Sequence, residues 1–273
     1  MTQRVLTGLV LAAAAAVLLA FGGLVMACAI ALVVALAVYE EFRALGKAGH
    51  RPVAWPTWIG LASLVPMLLL DCPFPVMFTV MTLVCLATIT GVIFRKEPSI
   101  IDCMMSLIPF LTLVLPGLGI MTFTGIENRT LQLAMMLVFL AVPCVCDIFA
   151  LFAGRTFKGP KLCPAVSPNK TISGSIGGMV GGLLAALAVG GIVYLCAPAA
   201  RAVLPPWWHY MLLGLIGGAV GQVGDLFASL VKRHSGLKDF SNLFPGHGGM
   251  LDRMDSIIFM AVVMFCYRLL ALV

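Results

Sequence analysis

The stretch SLVKRHSGLKDFSNLFPGHGGMLDRMD, residues 229–255, is a dense polar segment in an otherwise apolar chain. It combines lysines, arginines and aspartates with a glycine-rich run at 246–249, and apolar runs flank it on both sides. These flanks place the polar segment, as we call residues 229–255, at a membrane surface. Cations and bare backbone N–H groups suit phosphate oxygens, and carboxylates suit a divalent cation. The polar segment therefore predicts a site for a polyphosphate and its metal ion.

The whole chain is far more apolar than a soluble domain. Of its 273 residues, 62% are hydrophobic and 10% are charged, whereas soluble domains carry roughly 25% charged residues. Continuous apolar runs of about 20 residues are typical of membrane-spanning helices, and membrane barrels would show alternating patterns instead. We predict an all-α polytopic membrane protein of about nine transmembrane helices, with the active site at the cytoplasmic membrane surface.

The nine spans are predicted at about 5–21, 24–40, 55–70, 75–94, 103–123, 131–153, 174–196, 208–231 and 256–272. We assign the N-terminal transmembrane helices to residues 1–125 and the C-terminal catalytic region to residues 126–273, within a single integrated membrane domain. The first apolar stretch, from Val5 to Tyr39, is much longer than the apolar core of a signal peptide, so we expect no cleavage.

Lysine and arginine residues are concentrated on one side of this topology. That side holds the N-terminus and the loops that follow the second, fourth, sixth and eighth spans. The positive-inside rule makes it cytoplasmic and puts the C-terminus outside. The net charge of +6 follows from these flanking cations. Because no basic stripe is interleaved with aromatic residues, we expect no nucleic-acid partner.

Four aspartates lie near the predicted cytoplasmic ends of spans: Asp147, Asp225, Asp252 and Asp255. An acid at membrane depth is costly, and four together would repel one another unless cations join them. Hard carboxylate oxygens suit Mg²⁺ or Mn²⁺. We therefore predict all four as metal ligands for one ion or two. The alternative is an ion pair with a nearby cation, which for Asp225 is Lys232.

Glycines recur at short intervals in the seventh and eighth spans. They lie at 174, 177, 178, 181 and 182, and again at 214, 217, 218 and 221. Overlapping patterns of small residues four apart are typical of helices whose backbones approach closely. We expect close helix packing here.

The polar segment resembles the signature of the CDP-diacylglycerol synthases, also called phosphatidate cytidylyltransferases. That signature has K-R, K-D, P-x-H-G-G and D-R-x-D in this order. The matching residues are Ser229, Lys232, Arg233, Lys238, Asp239, Ser241, Pro245, His247, Gly248, Gly249, Asp252, Arg253 and Asp255.

A second, partial resemblance lies upstream, in the family's D-x-x-A-Y-x-x-G and S-P-K-T-x-E-G blocks. The matching residues are Asp147, Ala150, Gly154, Ser167, Pro168, Lys170, Thr171 and Gly174. Two departures from the pattern stand out: Leu151 replaces the aromatic residue and Ser173 replaces the acid. Any role of that acid is therefore not expected in this chain.

The resemblance implies a multi-pass enzyme of the cell membrane, in bacteria the inner membrane, that uses Mg²⁺ and CTP in phospholipid biosynthesis. The expected reaction transfers CMP from CTP to phosphatidate and gives CDP-diacylglycerol and pyrophosphate. A second cation, contacts with membrane lipids and a homodimer are also expected. Asp225 and Asp252 become the leading metal ligands.

Individual residues of the two blocks, and Asp225 between them, have predicted roles. The predicted catalytic residues are Asp225, Asp252 and Lys232. The predicted substrate-binding residues are Lys170, Ser229, Arg233, Lys238, Asp239, His247, Gly248, Gly249 and Arg253. For His247 we favour phosphate binding or loop structure over proton transfer, because a phosphate monoester is already ionised at neutral pH and needs little general base.

Other functions remain as alternatives. A transporter would explain many spans and glycine-rich helices, but it would place polar groups near the membrane midplane rather than at one surface. Among enzymes, the alternatives are a CTP-dependent lipid kinase and a cytidylyltransferase for another lipid phosphate. A CDP-alcohol phosphotransferase is disfavoured because its D-G-x-x-A-R run does not occur in the sequence.

Overall fold

The computed structural model describes the chain from Thr2 to Ala271, with side chains from Thr7 onward. The helices are α1 (Thr2–Phe21), α2 (Gly23–Lys47), α3 (Trp55–Leu69), α4 (Phe74–Ile93), α5 (Ile100–Pro109), α6 (Leu115–Met121), α7 (Arg129–Phe157), α8 (Ile172–Cys196), α9 (Trp207–His234) and α10 (Leu251–Ala271). A short π-helix at Phe110–Val114 joins α5 to α6. The chain is thus mostly helical, as predicted.

Seven helices in the described part of the chain are long and apolar enough to cross a membrane. They are Gly23–Lys47, Phe74–Ile93, Ile100–Gly125, Arg129–Phe157, Ile172–Cys196, Trp207–His234 and Leu251–Ala271. Two further apolar helices, Thr7–Phe21 and Trp55–Leu69, are shorter. The 15 residues of α3 rise about 22 Å, less than the roughly 30 Å of the hydrocarbon core. The polytopic helical class is confirmed, and the count of nine spans stays a prediction.

The elements form two compact units. The first unit contains the chain up to Gly125 together with Val231–Met254. The second contains Ile126–Leu230 and the chain from Asp255 onward. The polar segment therefore contributes residues to both units. The predicted division at residues 125 and 126 into N-terminal and catalytic regions stays a prediction.

The first unit has its core around the π-helix Phe110–Val114. Phe110 and Val114 are fully buried. Pro109 immediately precedes them, and because proline lacks a backbone N–H it interrupts the regular helical hydrogen bonds. A Cβ atom at Gly117 on α6 would lie 2.9 Å from the Val34 side chain on α2. The glycine therefore lets these two helices pack closely.

The second unit is organised by close helix packing at glycines. On α8, a Cβ at Gly178 would lie 3.1 Å from the backbone oxygen of Cys146 on α7. A Cβ at Gly182 would lie 2.8 Å from the backbone oxygen of Gly214 on α9. Side chains at these positions would push the helices apart. The close packing predicted from the glycine spacing is confirmed.

A small antiparallel hairpin precedes α8 and departs from the all-helical expectation. Its strands are β1 (Lys161–Cys163) and β2 (Ser167–Thr171). At the end of β2, the Thr171 hydroxyl accepts a hydrogen bond from the Gly174 N–H at 3.1 Å. This N-terminal cap begins α8. It also fixes the position of Lys170, which immediately precedes Thr171.

Candidate active site

Asp252 connects three parts of the first unit through one carboxylate. It lies in the first turn of α10 and is buried. Its Oδ1 atom lies 2.8 Å from Lys232 Nζ at the end of α9. Its Oδ2 atom accepts hydrogen bonds from the Phe240 N–H at 2.8 Å and the Gly249 N–H at 2.9 Å. Asp252 therefore fixes both the lysine and the loop between the two helices.

Lys232 is held in a partly desolvated environment. Its side chain is 16% exposed, while that of Asp252 is 3% exposed. The ammonium also lies 5.4 Å from the centre of the buried Phe240 ring. Exclusion of water strengthens such a charge pair. The ammonium is therefore held in a fixed position, from which it can bind a phosphate oxygen.

Glu40 on α2 makes a second set of contacts to the same loop. Its Oε1 atom accepts hydrogen bonds from the Ser241 hydroxyl at 2.5 Å and the Met250 N–H at 3.0 Å. Its Oε2 atom accepts from the Leu251 N–H at 2.8 Å. Sequence reasoning assigned this residue no role. The available signal was an acid within a predicted span, the same signal that selected Asp147.

The glycines of the polar segment make room for these two carboxylates. Gly248 has a φ of +85°, and a Cβ there would lie 2.8 Å from Asp252 Oδ2. A Cβ at Gly249 would lie 2.5 Å from both carboxylate oxygens of Glu40. The Gly248 N–H is donated to the Phe244 carbonyl at 3.1 Å. The predicted contact of these glycines with phosphate stays a prediction.

The remaining predicted residues of the loop differ in exposure. Arg233, Lys238, Asp239 and Arg253 are exposed. His247 is half-buried, its N–H is donated to a backbone carbonyl at 2.9 Å, and its Nδ1 atom is buried without a hydrogen-bond partner in the described structure. The exposed cations are placed to meet an anionic ligand from solution.

Asp225 and Lys170 form an ion pair in the second unit. Lys170 Nζ lies 2.6 Å from Asp225 Oδ2, with the two side chains 25% and 29% exposed. The ammonium has no hydrogen bond of acceptable angle in the described structure, so the contact is an ion pair rather than a directed hydrogen bond. The alternative pairing of Asp225 with Lys232 is wrong. Residues seven apart are two helical turns apart, about 10 Å, and Lys232 binds Asp252 instead.

Asp147 and Asp255 both contact Ser256. The Ser256 hydroxyl donates to Asp147 Oδ2 at 3.3 Å, and the Ser256 N–H donates to Asp255 Oδ1 at 2.8 Å. These contacts link the cytoplasmic end predicted for α7 to the start of α10. Ser229 is half-buried on α9. The gathering of all four predicted aspartates around one ion stays a prediction.

No group of three or more His, Cys, Asp or Glu residues within the described chain is arranged to hold a metal ion by itself. The two residues that depart from the family pattern have other surroundings. Leu151 is 50% exposed, and the Ser173 hydroxyl donates to the Lys158 carbonyl. Where the pattern has an acid, this chain therefore has a serine whose hydroxyl binds the backbone at the end of α7.

A model of the cytidylyltransferase family matches residues 2–271 of this chain. The chain belongs to the cytidylyltransferase family. The family inferred from the polar segment is therefore confirmed.

Three relatives illustrate how far the similarity extends. A protein of Brucella abortus is 42% identical over 132 residues, which cover 48% of this chain and 46% of the relative. One of Bacillus subtilis is 38% identical over 167 residues, covering 60% and 58%. One of Synechocystis is 31% identical over an alignment of 302 positions, which covers 99% of this chain and 97% of the relative. All three are named phosphatidate cytidylyltransferase. The present chain thus spans about half the length of the Brucella relative in that match and nearly all of the Synechocystis protein.

Proposed function

We propose that the chain is a phosphatidate cytidylyltransferase of a bacterial inner membrane, with its active site on the cytoplasmic side. Two lysine–aspartate pairs carry this proposal: Lys232 with Asp252 and Lys170 with Asp225. Each pair holds a lysine ammonium beside a carboxylate. Lys232, Asp252 and Lys170 belong to the two blocks that resemble the family signature, and Asp225 lies on α9 just before the polar segment. The shared name of the relatives supports phosphatidate and CTP as the substrates.

The donor chemistry fits a magnesium ion at Asp225. Mg²⁺ is usually bound by one or two carboxylates, with waters and substrate phosphates completing its coordination. A protein cluster of three acids is therefore not required. We propose that Asp225 would hold Mg²⁺, or Mn²⁺ in its place, with Asp147 and Asp255 as further carboxylates of the second unit. The metal roles of Asp252 and of a second cation stay predictions.

Asp252 fits a different role in the present geometry. Both of its oxygens already have donors, namely the Lys232 ammonium and two backbone N–H groups. We propose that Asp252 orients Lys232 toward phosphate oxygens and holds the loop that follows. A phosphate that binds the ammonium would share it with Asp252.

The proposed reaction joins two anions. A phosphate oxygen of phosphatidate forms a bond to the α-phosphorus of CTP, the bond from that phosphorus to the β-phosphate oxygen breaks, and pyrophosphate leaves. Lys232, Lys170 and the exposed cations of the loop reduce the repulsion between the substrates and bind their phosphate oxygens. When bound, Mg²⁺ would screen the CTP phosphates and stabilise charge on the leaving group.

The test uses purified protein in detergent with phosphatidate, Mg²⁺ and CTP labelled in one of two positions. Cytidylyl transfer puts an α-phosphate label into the lipid and releases a γ-phosphate label as pyrophosphate. A CTP-dependent lipid kinase would do the reverse and put the γ-phosphate label into the lipid. A lipid alcohol and other lipid phosphates, offered in place of phosphatidate, identify the acceptor. No labelled lipid with any acceptor would refute the proposal.

Removal of divalent cations gives a second readout of the same proposal. Excess EDTA should abolish formation of the labelled lipid, and added Mg²⁺ or Mn²⁺ should restore it, since the carboxylates present are oxygen donors suited to these ions. Undiminished turnover in EDTA would refute the metal requirement. The expected homodimer is tested separately, by the mass of the protein in detergent.

A further inference from the structure

Glu40 is a buried acid in the N-terminal helices whose side-chain hydrogen bonds, among the described residues, all go to the polar segment. It is 3% exposed, and three groups donate to its carboxylate at 2.5–3.0 Å. Two of them, the Met250 and Leu251 N–H groups, lie where α10 begins. The first N–H groups of a helix have no partner within the helix and favour a negative charge nearby. Glu40 therefore serves as an N-terminal cap for a helix more than 200 residues away in sequence.

The third donor shows that Glu40 also holds the beginning of the loop. Ser241 opens the loop, and Met250 and Leu251 close it, so one carboxylate joins both ends. Asp252 joins the neighbouring pair of residues, Phe240 and Gly249, in the same manner. The loop between these two ends contains His247, and both of its ends are hydrogen-bonded to Glu40 and to Asp252.

The approach of Glu40 depends on the missing side chain of Gly249. A Cβ there would lie 2.5 Å from either carboxylate oxygen, well inside van der Waals contact. The Gly249 N–H is simultaneously donated to Asp252. Glu40, Gly249 and Asp252 are therefore packed as a set, and a shift of one displaces the others.

We propose that Glu40 is a positioning residue for nucleotidyl transfer. It fixes the loop from Ser241 to Met250, and through Gly249 and Asp252 it fixes the direction of the Lys232 ammonium. The inference rests on the proposed function, and it assigns Glu40 no contact with a substrate. It gives the N-terminal helices a part in the reaction that the polar segment alone does not reveal.

The anchoring is tested first without activity, by hydrogen–deuterium exchange of the purified protein in detergent. A glutamine at position 40 has one acceptor oxygen, and in either orientation its amide nitrogen would face a backbone N–H, that of Met250 or that of Leu251. Glu40→Gln should therefore speed amide exchange about tenfold or more in peptides covering 241–251. Peptides from α8 should exchange as before. The matched control is Glu97→Gln, because the Glu97 side chain is 87% exposed and pairs only with Arg51 in the described contacts.

Positioning is separated from simple stabilisation by steady-state kinetics on the folded fraction. Glu40→Gln should lower kcat/KM for CTP about 10- to 100-fold, with a smaller loss in Glu40→Asp, which keeps the charge. Glu97→Gln should match the unaltered protein. A purely structural role would lower the yield of folded protein and leave kcat and KM unchanged.

The outcomes are distinguishable. Unchanged exchange in peptides 241–251 overturns the anchoring, and faster exchange with unaltered kcat and KM overturns the positioning role. If the unaltered protein makes no CDP-lipid, the proposed function fails. The exchange experiment then still decides whether Glu40 holds the loop.

Discussion

The Lys232–Asp252 pair yields a prediction whose size follows from its burial. Asp252→Asn keeps the shape of the side chain, and its remaining oxygen can still accept from the Phe240 and Gly249 N–H groups. The amide nitrogen then faces the Lys232 ammonium, which loses its counter-charge. Removing one member of a buried pair costs about 3–5 kcal/mol. Because the lysine side chain is 16% exposed, we expect the lower end, about 3 kcal/mol, or more than about 100-fold in the unfolding equilibrium.

The pairing itself is isolated by a double-mutant cycle. Lys232→Met removes the ammonium and leaves Asp252 with its two backbone donors. The double variant Asp252→Asn/Lys232→Met no longer buries an unpaired charge. The loss of unfolding free energy in the double variant should therefore be about 2 kcal/mol smaller than the sum of the losses in the two single variants. The measurement is denaturant unfolding in detergent, followed by tryptophan fluorescence.

The control for this cycle is Lys238→Met, since Lys238 is exposed in the same loop. This variant should change the free energy of unfolding by less than about 0.5 kcal/mol. Additive effects of Asp252→Asn and Lys232→Met, within about 0.5 kcal/mol, would refute the pairing.

Two further predictions concern the second unit. Asp225→Asn should lower kcat at least about 100-fold, while the free energy of unfolding falls by only about 1 kcal/mol because the Lys170 pair is partly exposed; near-normal turnover with saturating Mg²⁺ would contradict the metal role. Gly182→Ala should lower the free energy of unfolding by about 1–3 kcal/mol, because its methyl group would meet the Gly214 carbonyl. Gly191→Ala is the control, since a Cβ there meets nothing within 4 Å, and equal unfolding free energies for the two variants would refute the packing argument.

The properties that sequence reasoning predicted correctly depend on local patterns. Hydropathy predicted the helical membrane class, because a span is decided by about 20 consecutive residues. Glycine spacing predicted the close packing at Gly178 and Gly182, because residues four apart share one face of a helix. The polar segment predicted the family, because its spacing is fixed along a single stretch of chain.

The properties that could not be predicted are pairings between distant residues. Two lysines and four aspartates allow many ion pairs, and spacing along α9 left a pair of Asp225 with Lys232 as the alternative to a metal role. The structure pairs Asp225 with Lys170, 55 positions away, because the cap at Thr171 places that lysine beside α9. Glu40 carried a signal as an acid within a predicted span, but its partners could be found only from the structure. Nothing in its own neighbourhood in sequence specifies a partner more than 200 residues away.

The hydrogen bonds of the loop also decide which groups are left for phosphate. The N–H groups of Gly249, Met250 and Leu251 are already donated to Asp252 and Glu40. A phosphate could use them only by displacing a carboxylate, which would leave that buried acid with fewer donors. Arg233, Lys238 and Arg253 are exposed instead. The phosphates of a nucleotide should therefore meet these side-chain cations first, and the glycines serve to admit the protein's own carboxylates.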